Sequence, residues 1–180
     1  DDTWKTPLNL ARFTVQQKTI KRWFNEALHD LVIALVKSGE LEQAAEVALL
    51  FPSGSGNSAM SYLVEMAAES GDIALALKVA QWIEPPHGRA IAHCQVATAQ
   101  AKAGDKSAAL ATIQQAERLA RGLPNEKKPG VLVALALAKV AAGDKRQAVA
   151  VGEQAVESIR AEKNDIWYGN YYNRIARMMV

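Results

Sequence analysis

The chain has 180 residues, 49% of them hydrophobic and 6% aromatic, with 21 basic and 19 acidic side chains and a formal charge of +2. That balance gives no support to a nucleic-acid footprint or to an acidic partner. A single thiol, Cys94, excludes an intrachain disulfide, and the longest apolar stretch, Val131 to Ala142 around Lys139, is too short to span a bilayer.

In chain order, residues 1–21 read as an N-terminal cap, with Leu8 to Lys18 helical. Arg12, Lys18, Lys21 and Arg22 read as a solvated basic face, and Trp4, Trp23 and Phe24 as packing of the cap on the first helical pair. Four helical pairs are predicted: 22–37 with 41–51, 57–70 with 72–83, 88–103 with 105–121, and 130–142 with 144–161. Each pair turns at a Gly followed by an acid: Gly39-Glu40, Gly71-Asp72, Gly104-Asp105 and Gly143-Asp144, spaced by 32, 33 and 39 residues. Gly takes the left-handed conformation that ends a helix, and Asp caps the next one; Glu40 is the poorer cap. The prolines, among them Pro52, Pro86 and Pro129, are expected outside the helices. Residues 166–180 read as a terminal helix or half repeat whose own turn would fall just past Val180. This predicts a single repeat domain over 1–180 with repeats at 22–51, 57–83, 88–121 and 130–161, a segment of a longer chain.

Small and apolar residues recur five, nine and twelve positions after each Gly: Ala44, Ala48 and Phe51; Ala76, Ala80 and Ile83; Ala109, Ile113 and Ala116; Ala148, Gly152 and Ala155. Those steps keep them on one helix face. Eight and seven positions before each Gly stand Leu31-Val32, Leu63-Val64, Val96-Ala97 and Leu135-Ala136, a second face to pack against the first.

This register resembles the second half of the tetratricopeptide repeat (TPR), whose period is about 34. The resemblance covers roughly residues 22–160. It departs in the first helices, where the family's early aromatic is replaced by Leu28, Met60, His93 and Leu132. It implies an all-α solenoid of about four hairpins in a right-handed superhelix, and a ligand groove formed by the first helix of each pair. The groove positions it implies are His29 and Ile33, Ser61 and Glu65, Cys94 and Thr98, Val133 and Leu137. They lack the Lys, Asn and Arg set that clamps a peptide carboxylate, which disfavours that mode.

Gly54 to Ala59 formally matches the G-x-G-x-x-A dinucleotide fingerprint, but no strand–helix alternation surrounds it, so an inter-hairpin loop is the preferred reading. His93-Cys94 is an adjacent pair, and neighbours on a helix point about 100° apart, so it is not disposed as base and nucleophile. No metal-ligand spacing occurs. Trp167, Tyr168, Tyr171 and Tyr172 form the densest aromatic group, read as packing on the preceding helix, with Trp167 and Tyr171 as candidate interface residues.

The expected function is therefore a non-catalytic protein–protein interaction module or scaffold, with a protein or peptide partner and no cofactor, metal, nucleic acid or membrane insertion. Its alternatives are a structural spacer or oligomerisation segment, self-associating through the C-terminal helix, and an enzyme with a nucleotide site at Gly54 to Ala59. The Asp1 start slightly favours an exported, soluble periplasmic chain over a cytoplasmic one. The Ala-rich repeats suggest a bacterial source.

Overall fold

The computed structural model describes residues 21–52 and 56–161. Helices α1 (Lys21–Ser38), α2 (Leu41–Ala48), α3 (Asn57–Glu69) and α4 (Ile73–Trp82) are followed by α5 (Pro86–Lys102), α6 (Lys106–Arg121), α7 (Lys128–Ala141) and α8 (Lys145–Ala161). A 3-10 turn, Asn125–Lys127, lies in the long connection before α7. No strand occurs among the described residues. The helices gather into two compact units that divide at Glu84 and Pro85: α1–α4, and α5–α8. The expected cap helix at Leu8 to Lys18, the terminal segment 166–180 with Trp167 and Tyr171, and Gly54 and Ser55 lie outside the described residues.

Each pair turns where a Gly adopts positive φ: 84° at Gly39, 90° at Gly71, 92° at Gly104 and 88° at Gly143. At three of these turns the amide of the next residue then reaches back five positions to close the ending helix. Glu40 N–H donates to the Leu35 carbonyl, Asp105 N–H to Gln100 and Asp144 N–H to Lys139, each at 2.9 Å. The acids start the next helix as expected. Asp72 Oδ1 accepts from Leu75 N–H at 3.0 Å, Asp105 Oδ1 from Ala108 N–H at 2.9 Å, and Asp144 Oδ1 from Gln147 N–H at 3.1 Å. Glu40 makes no such cap; its Oε1 instead accepts from Ser38 Oγ.

The turn geometry gives a direct expectation. An added Cβ at Gly104 would meet nothing within 4 Å, so Gly104→Ala costs only its backbone strain. A loss of about 1 kcal/mol in urea unfolding is expected, and unchanged stability would refute the left-handed turn.

The helix starts of the second unit run against local preference. Lys106 opens α6, and Lys145 and Arg146 open α8, with no acid in either first turn. A cation beside the positive end of a helix is disfavoured by about 0.3–1 kcal/mol.

The small-residue register makes the core. Ala44, Ala48, Ala76, Ala80, Ile83, Ala109, Ala116 and Ala155 are fully buried, and Val32, Leu63, Val64, Val96, Ala97 and Ala136 face them at equal burial. Alanine at the contact lets paired helices approach closely.

Two expectations are corrected. Helix α2 ends at Ala48, not Phe51, because Phe51 turns back against Gly56, where an added Cβ would lie 2.5 Å from its ring. Pro86 and Pro129 lie inside α5 and α7, not before them, each within the first turn, where a missing N–H costs nothing. Trp23 is 73% exposed, and the cap expected to pack on it lies outside the described residues.

Candidate interaction surface

In the first unit α1 and α3, the first helices of their pairs, lie in contact. His29, Ile33 and Ser61 are half-buried and Glu65 is exposed. Residues four apart share a helix face, so His29 stands with Ile33 and Ser61 with Glu65. His29 also borders a shallow depression of about 360 Å³ with Asn25, Glu26, Asp30 and Phe51. Its Nδ1 lies 3.8 Å from Asp30 Oδ1.

In the second unit α5 and α7 are likewise in contact, but the same register falls differently. Thr98 and Leu137 are half-buried, whereas Cys94 is 2% exposed and Val133 1%. Those two expected contacts are corrected: their side chains are core and have no surface to offer. Cys94 packs in a cluster with Ala97, Ile113, Val131 and Leu135 from α5, α6 and α7, and Val133 packs on Ala155 of α8. Thr98 turns its hydroxyl inward along the helix, donating to the Cys94 carbonyl at 2.8 Å.

The second unit also holds a polar interior. Thr112 Oγ1 donates to Gln100 Oε1 at 2.8 Å, tying α6 to α5. Lys139 of α7, only 4% exposed, places its ammonium 2.7 Å from Glu117 of α6 and donates at 2.8 Å to Gln147 Oε1 of α8. The one hint in the sequence was a lysine inside the apolar stretch Val131 to Ala142.

His93 and Cys94 do not form a catalytic couple. Burial, and next the charge of Arg89, push His93 below its ordinary value of 6.5, so the ring is held neutral, and its Nδ1 has no hydrogen-bond partner. Burial foremost, with Glu117 nearby, pushes the Cys94 thiol far up, where it forms no thiolate at neutral pH and is an inert core group. The dinucleotide fingerprint loses its required strand as well. The element before Gly56 is helix α2, and Gly56 is held to glycine by the Phe51 ring. Among the described residues, no three His, Cys, Asp or Glu side chains gather as a metal site, and no helix is long and apolar enough to cross a membrane.

Glycine-turned helical pairs with an alanine-lined core define an all-α helical repeat. Two solved structures of the TPR-like repeats of a Podosopora anserina protein described as a kinesin light chain are similar in fold. One, a single-substitution variant, is 18% identical, with a TM-score of 0.51 over 85% of this chain and 84% of that one. The other is 17% identical, with a TM-score of 0.51 over 97% of this chain and 87% of that one. No family model matches the chain, and no curated protein does. The fold is that of a TPR-like α-solenoid.

Proposed function

We propose that the chain is a non-catalytic protein–protein interaction module, a scaffold that takes a peptide or protein segment along the faces of its first helices. The observation that carries this reading is the side-by-side contact of first helices within each unit, α1 with α3 and α5 with α7. Paired helices of this kind offer an extended face that one hairpin cannot supply. On it stand His29, Ile33, Ser61 and Glu65 in the first unit, and Thr98 and Leu137 in the second. Ile33 and Leu137 are apolar and only half-buried, which suits them as anchors for a segment making apolar contacts with few charges. No catalytic chemistry is derived, because the one buried imidazole and the one thiol are neutral, and no acid, base and nucleophile converge on them.

Peptides selected on the intact chain from a phage-displayed random library test this reading. The double variant Ile33→Glu/Leu137→Glu is expected to weaken the selected peptides about tenfold or more, as for loss of buried anchors. Its circular dichroism should stay helical. Undiminished binding by a folded variant would remove these residues from the surface.

A further inference from the structure

We propose that the turn edge of the second unit is a docking surface for an acidic segment of a protein partner, separate from the first-helix faces. Lys102, Lys106, Lys145 and Arg146 flank the turns at Gly104 and Gly143, and all four are exposed. The two turns adjoin, for Lys106 Nζ lies 3.8 Å from where a Cβ on Gly143 would sit. None of the four makes an ion pair or a side-chain hydrogen bond among the described residues. The carboxylates of the edge, Asp105 and Asp144, are engaged in capping α6 and α8.

The turn itself does not require these cations. In the first unit the same turns are made with Leu41 and Ile73 where the second has Lys106 and Lys145, and with Glu42 and Ala74 where it has Ser107 and Arg146. Glu40, Glu42, Glu69 and Asp72 make that unit's turns predominantly acidic, with Lys37 the one cation between them. The basic edge therefore answers to something other than folding, and it stands where helix starts disfavour positive charge. A local preference broken without a structural return marks a functional position.

The complementary partner is an acidic polypeptide. Its carboxylates would meet four unpaired cations and two helix starts, at a spacing set by adjoining hairpins. A phosphate track fits less well. Asp105 and Asp144 interrupt the cations, and no aromatic side chain stands within these turns to stack a base.

Fluorescence anisotropy of a labelled peptide of about ten glutamates, titrated with the full chain at about 50 and about 200 mM salt, tests the surface. Binding is expected at the lower salt, weakened about fivefold or more at the higher salt and by Lys106→Glu/Arg146→Glu. That variant's Tm should be unchanged or raised, since it places acids at helix starts. The control Arg118→Glu/Arg121→Glu carries the same charge change about 18 Å or more along α6, beyond the screening length, and should leave binding within about twofold. No binding at the lower salt, equal losses in both variants, tighter binding of an oligonucleotide or an anionic vesicle, or occupation of the edge by a second copy in sedimentation would each overturn the proposal. The inference stands without the first-helix reading, because Ile33→Glu/Leu137→Glu leaves the edge intact and Lys106→Glu/Arg146→Glu leaves the faces intact.

Discussion

Val133→Glu is expected to unfold the second unit at room temperature or bring it close to that point, while Leu137→Glu, one turn along the same helix, is tolerated. Val133 is 1% exposed and packed on Ala155, with Leu132, Leu137 and Val156 around it. The substitution forfeits the burial of a valine, about 1.5–3 kcal/mol, and forces a carboxylate to be buried or to take a proton. Together these cost about 4–6 kcal/mol, which is comparable to the whole stability of a small domain. Leu137 is half-buried, so a glutamate there keeps its carboxylate in water and loses only part of its packing, about 1 kcal/mol. Urea unfolding followed by circular dichroism separates the two. Equal, small losses would mean that Val133 is not core.

That contrast shows where the sequence was legible. Turns were legible because a glycine at positive φ and an aspartate cap act through their immediate neighbours, so four dipeptides located four hairpins. The packing register was legible for a related reason. Alanines such as Ala76, Ala109 and Ala148 recur at one offset from each glycine, and burial follows helical periodicity. Helix ends were less so. Phe51 left its helix for a contact with Gly56, and Pro86 and Pro129 used the first turn that tolerates them, effects that depend on local packing rather than on pattern.

The exposure of the expected groove positions was legible only in part. The tenth residue before each glycine is His29, Ser61, Cys94 or Val133; the first two are half-buried and the last two are core. Identical register gives different exposure because Cys94 of α5 is covered by a cluster that includes Ile113 of α6 and Val131 of α7, and Val133 of α7 packs on Ala155 of α8. Which side chains of other helices reach a position is a tertiary property, and no offset from a glycine encodes it. Nor could spacing reveal that Gln100 meets Thr112, or that Lys139 meets Glu117 and Gln147, since those pairs join different helices.

The lysine cluster invites the second large effect. Lys139 draws α6, α7 and α8 to one ammonium, yet desolvating a cation offsets much of what its pairing returns. Lys139→Met keeps the length and apolar stem and removes the charge. It leaves Glu117, one-third exposed, free to be solvated, so stability is expected to stay within about 1 kcal/mol or to rise. Glu117→Ala is the damaging change. It leaves a 95%-buried lysine side chain with the neutral Gln147 amide as its partner, and should cost about 2–3 kcal/mol, below the fully buried limit because Glu117 is partly screened by water. The double variant Glu117→Ala/Lys139→Met should recover most of that loss, since the uncompensated charge is gone. Urea titrations of the four proteins decide it. A loss above about 2 kcal/mol for Lys139→Met would show instead that the ion pair holds the three helices together by net attraction.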